Sequence, residues 1–154
     1  MFTLTDIIEI AMQIEKNGER TYRRAQQKTS DPSLADQLGL LADEELEHQR
    51  WFAEFKNRAE TKPVDKNLEA MGRELFQNIL GDKAFSLDDA DLSQVSDTLA
   101  VMRISAEFEQ DTVIFYEMLE PFVEEPQSRE DLRLIIEEEK GHRRKLQERL
   151  GNLL

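Results

Sequence analysis

Cysteine is absent from the 154 residues, which excludes disulfides, iron–sulfur clusters, four-cysteine iron centres and thiolate-bound zinc. No run of apolar residues approaches the 18 needed for a transmembrane helix. Basic residues are in deficit, 20 against 33 acidic, for a net charge of −13. That field repels phosphate backbones and argues against nucleic acid as a partner. It concentrates cations near the surface, and it equally serves plain solubility. The opening Met1-Phe2-Thr3-Leu4-Thr5-Asp6 has no basic stretch leading into an apolar one, so the expected location is the cytoplasm. Glycine and proline number only 6 and 4, and charged residues reach 34%, a composition that suits a helical protein. His-Glu-x-x-His, a nucleophile elbow, Gly-x-Gly-x-x-Gly and a Walker A loop are all missing. Zinc peptidase, serine hydrolase and nucleotide-cradling chemistries go with them.

What is present is scarce and ordered. The chain has two histidines, and each follows a glutamate by three residues, in Glu45-Leu-Glu-His48 and Glu139-Lys-Gly-His142. Thirty residues before each of these glutamates lies another, Glu15 and Glu109. Seven residues after those stand the two tyrosines, Tyr22 and Tyr116. One constellation is thus written twice with an offset of 94. A Glu/His pair at i, i+3 shares one helix face, where both side chains reach one ion. Two copies supply four carboxylates and two imidazoles, the ligand set of a di-iron or di-manganese centre in a four-helix bundle.

The periodicity predicts four long helices and one short one in a single domain of 154 residues: a hairpin over 5–58, a crossover over 59–92 and a hairpin over 93–151. Thr5 is the expected cap of the first helix, Ser30-Asp31-Pro32 and Glu124-Glu125-Pro126 the two turns, and Gly151 the final stop. A short helix is expected over 67–80, then a loop from Gly81 to Asp91. Within that loop Asp88, Asp89 and Asp91 fit a cap for the next helix better than a calcium loop. The second helix carries the seam Leu34, Leu38, Leu41, Glu45, His48, Phe52 and Phe55; the last carries Leu132, Ile135, Glu139, His142, Leu146 and Leu150. In each, a Glu and a His interrupt an apolar stripe, which implies burial. A buried carboxylate needs a proton, a counter-charge or a metal. By the same pattern Glu44, Glu47, Glu137 and Glu138 are expected to face solvent, and Trp51 to belong to the core. Tyr22 and Tyr116 are open between plain packing and a hydrogen bond to a ligand carboxylate.

Each hairpin's midpoint, residue 30 or 124, falls inside its predicted turn. Each leading glutamate is therefore level with its own Glu-x-x-His, about 22 Å from the turn. Two such hairpins related by a pseudo-twofold bring all six candidate ligands to one height, and the roughly thirty-residue crossover fits a ferritin-like connection.

Ile14-Glu-Lys-Asn-Gly-Glu-Arg-Thr-Tyr22, Leu41-Ala-Asp-Glu-Glu-Leu-Glu-His48, Glu109-Gln-Asp-Thr-Val-Ile-Phe-Tyr116 and Glu137-Glu-Glu-Lys-Gly-His142 resemble the four helices of the rubrerythrin-like branch of the ferritin-like superfamily. The resemblance implies an all-α ferritin-like four-helix bundle with Glu45 and Glu139 bridging two metals, and Glu15, His48, Glu109 and His142 as terminal ligands. It implies two Fe ions, with Mn or Zn as alternatives. The implied activity is that of a di-iron carboxylate oxidoreductase reducing O2 or H2O2, ferroxidase or peroxidase-like. An external electron donor such as a rubredoxin and a homodimeric assembly are implied too. The apolar face of the crossover helix, Leu68, Met71, Leu75 and Ile79, could cover the bundle or a neighbouring copy. Alternatives are a di-manganese peroxide-handling protein and a non-catalytic iron-binding or structural module. Two departures stand out. Rubrerythrins proper append a rubredoxin domain, whereas this sequence ends at Leu154. They also carry an extra glutamate one turn after the third-helix ligand, where this chain has Thr112. Both bear on the peroxidase cycle and not on the di-metal centre.

Overall fold

A computed structural model describes residues 2–59, 63–81 and 95–153, with their side chains except those of 78–81, 95–98 and 153. Five helices make up nearly all of it: α1 (Leu4–Lys28), α2 (Pro32–Arg58), α3 (Lys66–Gly81), α4 (Val95–Leu119) and α5 (Pro126–Leu153). The only extended pairing among the described residues is an isolated bridge between Thr3 and Pro63. The architecture is an all-α, ferritin-like bundle.

The turns form where the sequence places them. Asp31 caps α2, its carboxylate accepting from the amides of Ser33 at 3.0 Å and Leu34 at 3.4 Å, with Pro32 in the first turn. At the end of α4, Pro121 sits in a 3-10 turn over Glu120–Phe122 that closes through Val123 N–H to Glu120 O. Two ends differ from expectation. The cap of α1 is Thr3 and not Thr5: Thr3 and Asp6 form a reciprocal capping box, the Thr3 hydroxyl accepting from Asp6 N–H and the Asp6 carboxylate from Thr3 N–H. Gly151 does not stop α5, which runs to Leu153; no glycine among the described residues adopts the left-handed conformation that such a stop requires. The loop after Gly81, with Asp88, Asp89 and Asp91, lies outside the described residues.

Helix α1 lies along α2, and α4 along α5, giving the two hairpins. Helix α3 packs across α1 and α4, burying Leu68 and Leu75 in the core of the bundle. Its apolar face is thereby used within the chain; the side chain of Ile79 lies outside those described. Gly72 makes this contact close: a Cβ there would stand 3.0 Å from Phe115 Cε2 and 3.6 Å from Ile10 Cδ1. Two apolar clusters result. One gathers Ile7, Ile8, Ile14, Phe52, Phe115, Tyr116, Leu119 and Leu132, the other Tyr22, Leu34, Leu38, Leu41, Met102 and Leu146.

Gly72→Val should overpack the α3 seam and cost about 1–3 kcal/mol, read as a lower urea midpoint at unchanged slope. An unshifted midpoint would show that α3 does not bear on the bundle as described.

Candidate metal centre

Glu15, Glu45, His48, Glu109, Glu139 and His142 are all brought together, each no more than 2% exposed. They come from four helices, one leading glutamate each from α1 and α4 and one Glu-x-x-His each from α2 and α5. Their ligand atoms fall into two overlapping groups, Glu15, Glu45, His48 and Glu139, and Glu45, Glu109, Glu139 and His142, with all atoms of a group within 4.8 Å of one another. Glu45 and Glu139 belong to both. Those are the two residues for which the resemblance implies bridging.

The contacts obey the offset of 94 seen in the sequence, and each histidine's shortest carboxylate contact among the six crosses between hairpins. His48 Nδ1 lies 2.7 Å from Glu139 Oε1 and 3.4 Å from Glu15 Oε2. Its mate His142 Nδ1 lies 2.9 Å from Glu45 Oε1 and 3.4 Å from Glu109 Oε1. The two imidazoles stack 6.0 Å apart with an 18° interplanar angle. Tyr22, on α1, donates to Glu109 Oε1 on α4 at 2.6 Å, and Tyr116, on α4, donates to Glu15 Oε1 on α1 at 2.6 Å. Each tyrosine therefore orients the leading glutamate of the other hairpin. Between hydrogen bonding and mere packing, the hydrogen bond holds for both.

Two glutamates read from the sequence as solvent-facing belong here as well. Glu138 lies 2.7 Å from His48 Nε2, and Glu44 bonds His142 Nε2, each from the opposite hairpin. Both are about 40% exposed at the side chain, so each reaches from the surface to a buried ring. A Glu-Glu-x-x-His pattern in both copies was the available signal. Gly18 is a second omission: a Cβ at that position would stand 2.8 Å from Glu45 Oε2, so glycine gives this carboxylate its room. Its mate under the offset of 94 is Thr112, buried, with its hydroxyl donated to Phe108 O at 2.9 Å. The two halves thus diverge at one point beside the cluster. Trp51 is packed as expected, stacked 5.1 Å from Phe55, with its indole N–H donated to Asp131.

Electrostatics follow from burial. Taken on the protein's own groups, burial and then repulsion from Glu139 push the Glu15, Glu45 and Glu109 carboxyls up, Glu45 and Glu109 far above the ordinary range. Burial pushes Glu139 up too, but a hydrogen bond from Glu109 and the charges of His142 and His48 outweigh it and hold Glu139 well below that range. Burial disfavours both imidazoliums, yet Glu15 and Glu139 raise His48, and Glu109 and Glu139 raise His142. Burial and the charge of the glutamate each one touches keep Tyr22 and Tyr116 protonated as donors.

Four buried oxygens, Glu15 Oε2, Glu45 Oε1, Glu109 Oε2 and Glu139 Oε2, make no well-aligned hydrogen bond, Glu45 Oε1 having only its ion-pair approach to His142 Nδ1. One such oxygen on every carboxylate of the cluster, beside two inward-facing imidazole nitrogens, is a donor set that fits transition-metal cations.

A four-helix bundle with a carboxylate–imidazole layer at its centre defines the ferritin-like class. A rubrerythrin family profile matches residues 6–150, and the chain belongs to the rubrerythrin family. No curated protein matches it. Among solved structures, it resembles a hypothetical protein of Pyrococcus furiosus, 19% identical, with a TM-score of 0.75 over 99% of this chain and 90% of that one, a likeness of fold.

Protein stripped by a chelator should lose stability as pH rises from the ordinary glutamate range towards neutrality and beyond. The raised groups, Glu15, Glu45, Glu109, His48 and His142, hold protons in the folded state that the unfolded chain has released, so their stabilisation is complete at low pH and lost on going up. Lowered Glu139 and Glu44 act oppositely, contributing stability present above that range and lost as pH falls, but they are outnumbered. Urea midpoints of chelated protein that climb steadily from about pH 5 to 8 would contradict this balance.

Proposed function

We propose that this protein holds two iron ions between Glu15, Glu45, His48, Glu109, Glu139 and His142 and acts as a di-iron oxidoreductase on O2 or H2O2. The observation that carries the reading is the pair of overlapping ligand groups sharing Glu45 and Glu139. A pair of Fe2+ ions held there would supply the two electrons that reduction of an oxygen species requires. The chain's own part is placement and exclusion. Glu45 and Glu139 would serve both ions, His48 and His142 would each offer Nδ1 to one, and Tyr22 and Tyr116 hold the outer carboxylates in line. Apolar clusters on both sides keep bulk water out of the layer.

Oxidation of Fe2+ coupled to oxygen or peroxide reduction (a ferroxidase) needs nothing beyond these groups. Turnover as a peroxidase needs an external one-electron donor, a rubredoxin being the class the resemblance implies. Thr112 favours the first: where rubrerythrins proper carry a further glutamate, this side chain spends its hydroxyl on Phe108 O and offers no carboxylate. The same donor set accepts manganese or zinc, and a non-catalytic iron-binding role uses the same residues. Among the described residues no helix is long and apolar enough to cross a membrane. A cytoplasmic homodimer is proposed on the resemblance.

Protein from its native host, analysed for metal, should hold two transition-metal ions per chain, and Glu45→Ala with Glu139→Ala should abolish the pair. Full metal retention in that double variant would refute the assignment. Steady-state peroxide reduction with a rubredoxin donor, set beside the rate of Fe2+ oxidation by O2, separates peroxidase, ferroxidase and inert binding. Replacing Glu15, Glu45, Glu109 and Glu139 together by glutamine should raise the melting temperature above that of chelated wild type, because it removes the repulsion without removing the packing.

A further inference from the structure

We propose that Trp51, Phe52 and Tyr116 form a path for single electrons between the surface of the bundle and its buried carboxylate–imidazole layer. The use of the path rests on the oxidoreductase reading above; its existence is a property of the chain and needs no metal. Trp51, the one tryptophan of the sequence, is only partly buried. Its ring meets that of Phe52 edge-on with centroids 5.0 Å apart, and Phe52 meets Tyr116 on α4 at 5.1 Å. Both separations are those of aromatic rings in contact. Tyr116 ends on the layer, its hydroxyl donating to Glu15 Oε1 at 2.6 Å. Electron tunnelling weakens steeply as gaps widen, so rings in contact carry it better than aliphatic side chains in their place.

Each oxidisable end has an acceptor for the proton that leaves with the electron. The Trp51 indole N–H donates to Asp131 Oδ2 at 3.1 Å, and the Tyr116 hydroxyl to Glu15. When a one-electron oxidant takes an electron from Trp51, the indole proton passes to Asp131. Tyr116 then supplies an electron through Phe52 and gives its O–H proton to Glu15, while Trp51 regains its own proton from Asp131. Inward transfer uses the same groups: O2 or H2O2 at the layer draws the electron from Tyr116, Trp51 replaces it, and a one-electron reductant at the surface refills Trp51. The other half has no counterpart. The offset of 94 puts Lys145, Leu146 and Arg149 where Trp51, Phe52 and Phe55 stand, and the apolar cluster around Tyr22 holds neither phenylalanine nor tryptophan. The two tyrosines match in their bonds to the layer and differ in what lies behind them.

Pulse radiolysis of the full chain, stripped of metal, reads this transfer directly. Azide radicals oxidise tryptophan by one electron, and both tyrosines are buried from them. Wild type should show indolyl absorbance decaying as tyrosyl absorbance rises, at a rate independent of protein concentration. Tyr116→Phe should abolish that conversion, and so should Phe52→Leu, which copies Leu146 of the other half. Tyr22→Phe should leave it intact. A purely structural role of these rings would show in urea midpoints and not in which tyrosine is oxidised. Urea unfolding establishes that each variant is folded; if Phe52→Leu is not, Phe52→Ile takes its place with the same expected loss. The inference is overturned by a wild type without conversion, by conversion that survives in Tyr116→Phe or in the folded Phe52 variant, or by conversion lost in Tyr22→Phe. Since these measurements contain no metal, any such result leaves the two-iron reading standing. A chain that binds no metal would conversely leave the radical transfer standing and remove only its use.

Discussion

Four carboxylates and two imidazoles share one layer in the dry interior of the bundle, and none of them is tolerable there alone. An isolated ionised side chain at such depth costs several kcal/mol, and four glutamates crowded together add mutual repulsion. Compensation comes chiefly from other helices: His48 answers Glu139 and Glu15, His142 answers Glu45 and Glu109 as well as Glu139 on its own helix, and each tyrosine answers the far leading glutamate. The pairing of the two hairpins is therefore specified by charge and hydrogen bonding at this one level. Apolar packing alone, with leucine and phenylalanine on both faces, permits sliding that the polar layer forbids. Metal, where bound, would replace shared protons as the neutralising charge without altering this logic.

The layer also divides the core. The cluster containing Phe52, Phe115 and Leu132 lies on one side, and that containing Leu34, Leu38 and Leu146 on the other, with Tyr116 belonging to the first and Tyr22 to the second. Each tyrosine ring is thus apolar filling at one end and a hydrogen-bond donor at the other, so the transition from hydrocarbon to carboxylate is made within single side chains. The low polarity on both sides strengthens every electrostatic contact in between.

Much of this was legible because helical geometry converts spacing into faces. Intervals of 3 and 4 along α2 and α5 put Glu45, His48, Glu139 and His142 on buried stripes, and the midpoint argument set all six residues at one height. What a single helix cannot reveal is its partner across the bundle. Glu44 and Glu138 sit one residue, about 100°, off their stripes, and helix-face reasoning sends them to solvent; only the position of a histidine on another helix draws them into the site. The crossed tyrosine contacts escaped for the same reason, since Tyr22 is near Glu15 in sequence and bonded to Glu109 in space. At the helix ends the errors were local. Thr3 and Thr5 are both reasonable caps, but only Thr3 has an acidic residue three positions on, Asp6, to complete the reciprocal pair.

The reciprocal wiring has a bearing on biosynthesis. When the first hairpin has left the ribosome, Glu15 has no Tyr116 to hold it, Glu45 no His142 beside it and His48 no Glu139, since all three partners are encoded downstream. Its buried stripe is then half of a polar layer facing nothing, and domains of this kind gain their interior only when the chain that completes it arrives. His142 follows His48 by 94 residues, so the layer cannot be complete before α5 has been made. Any ion that this layer takes would meet its full set of side chains only once the second hairpin has joined the first.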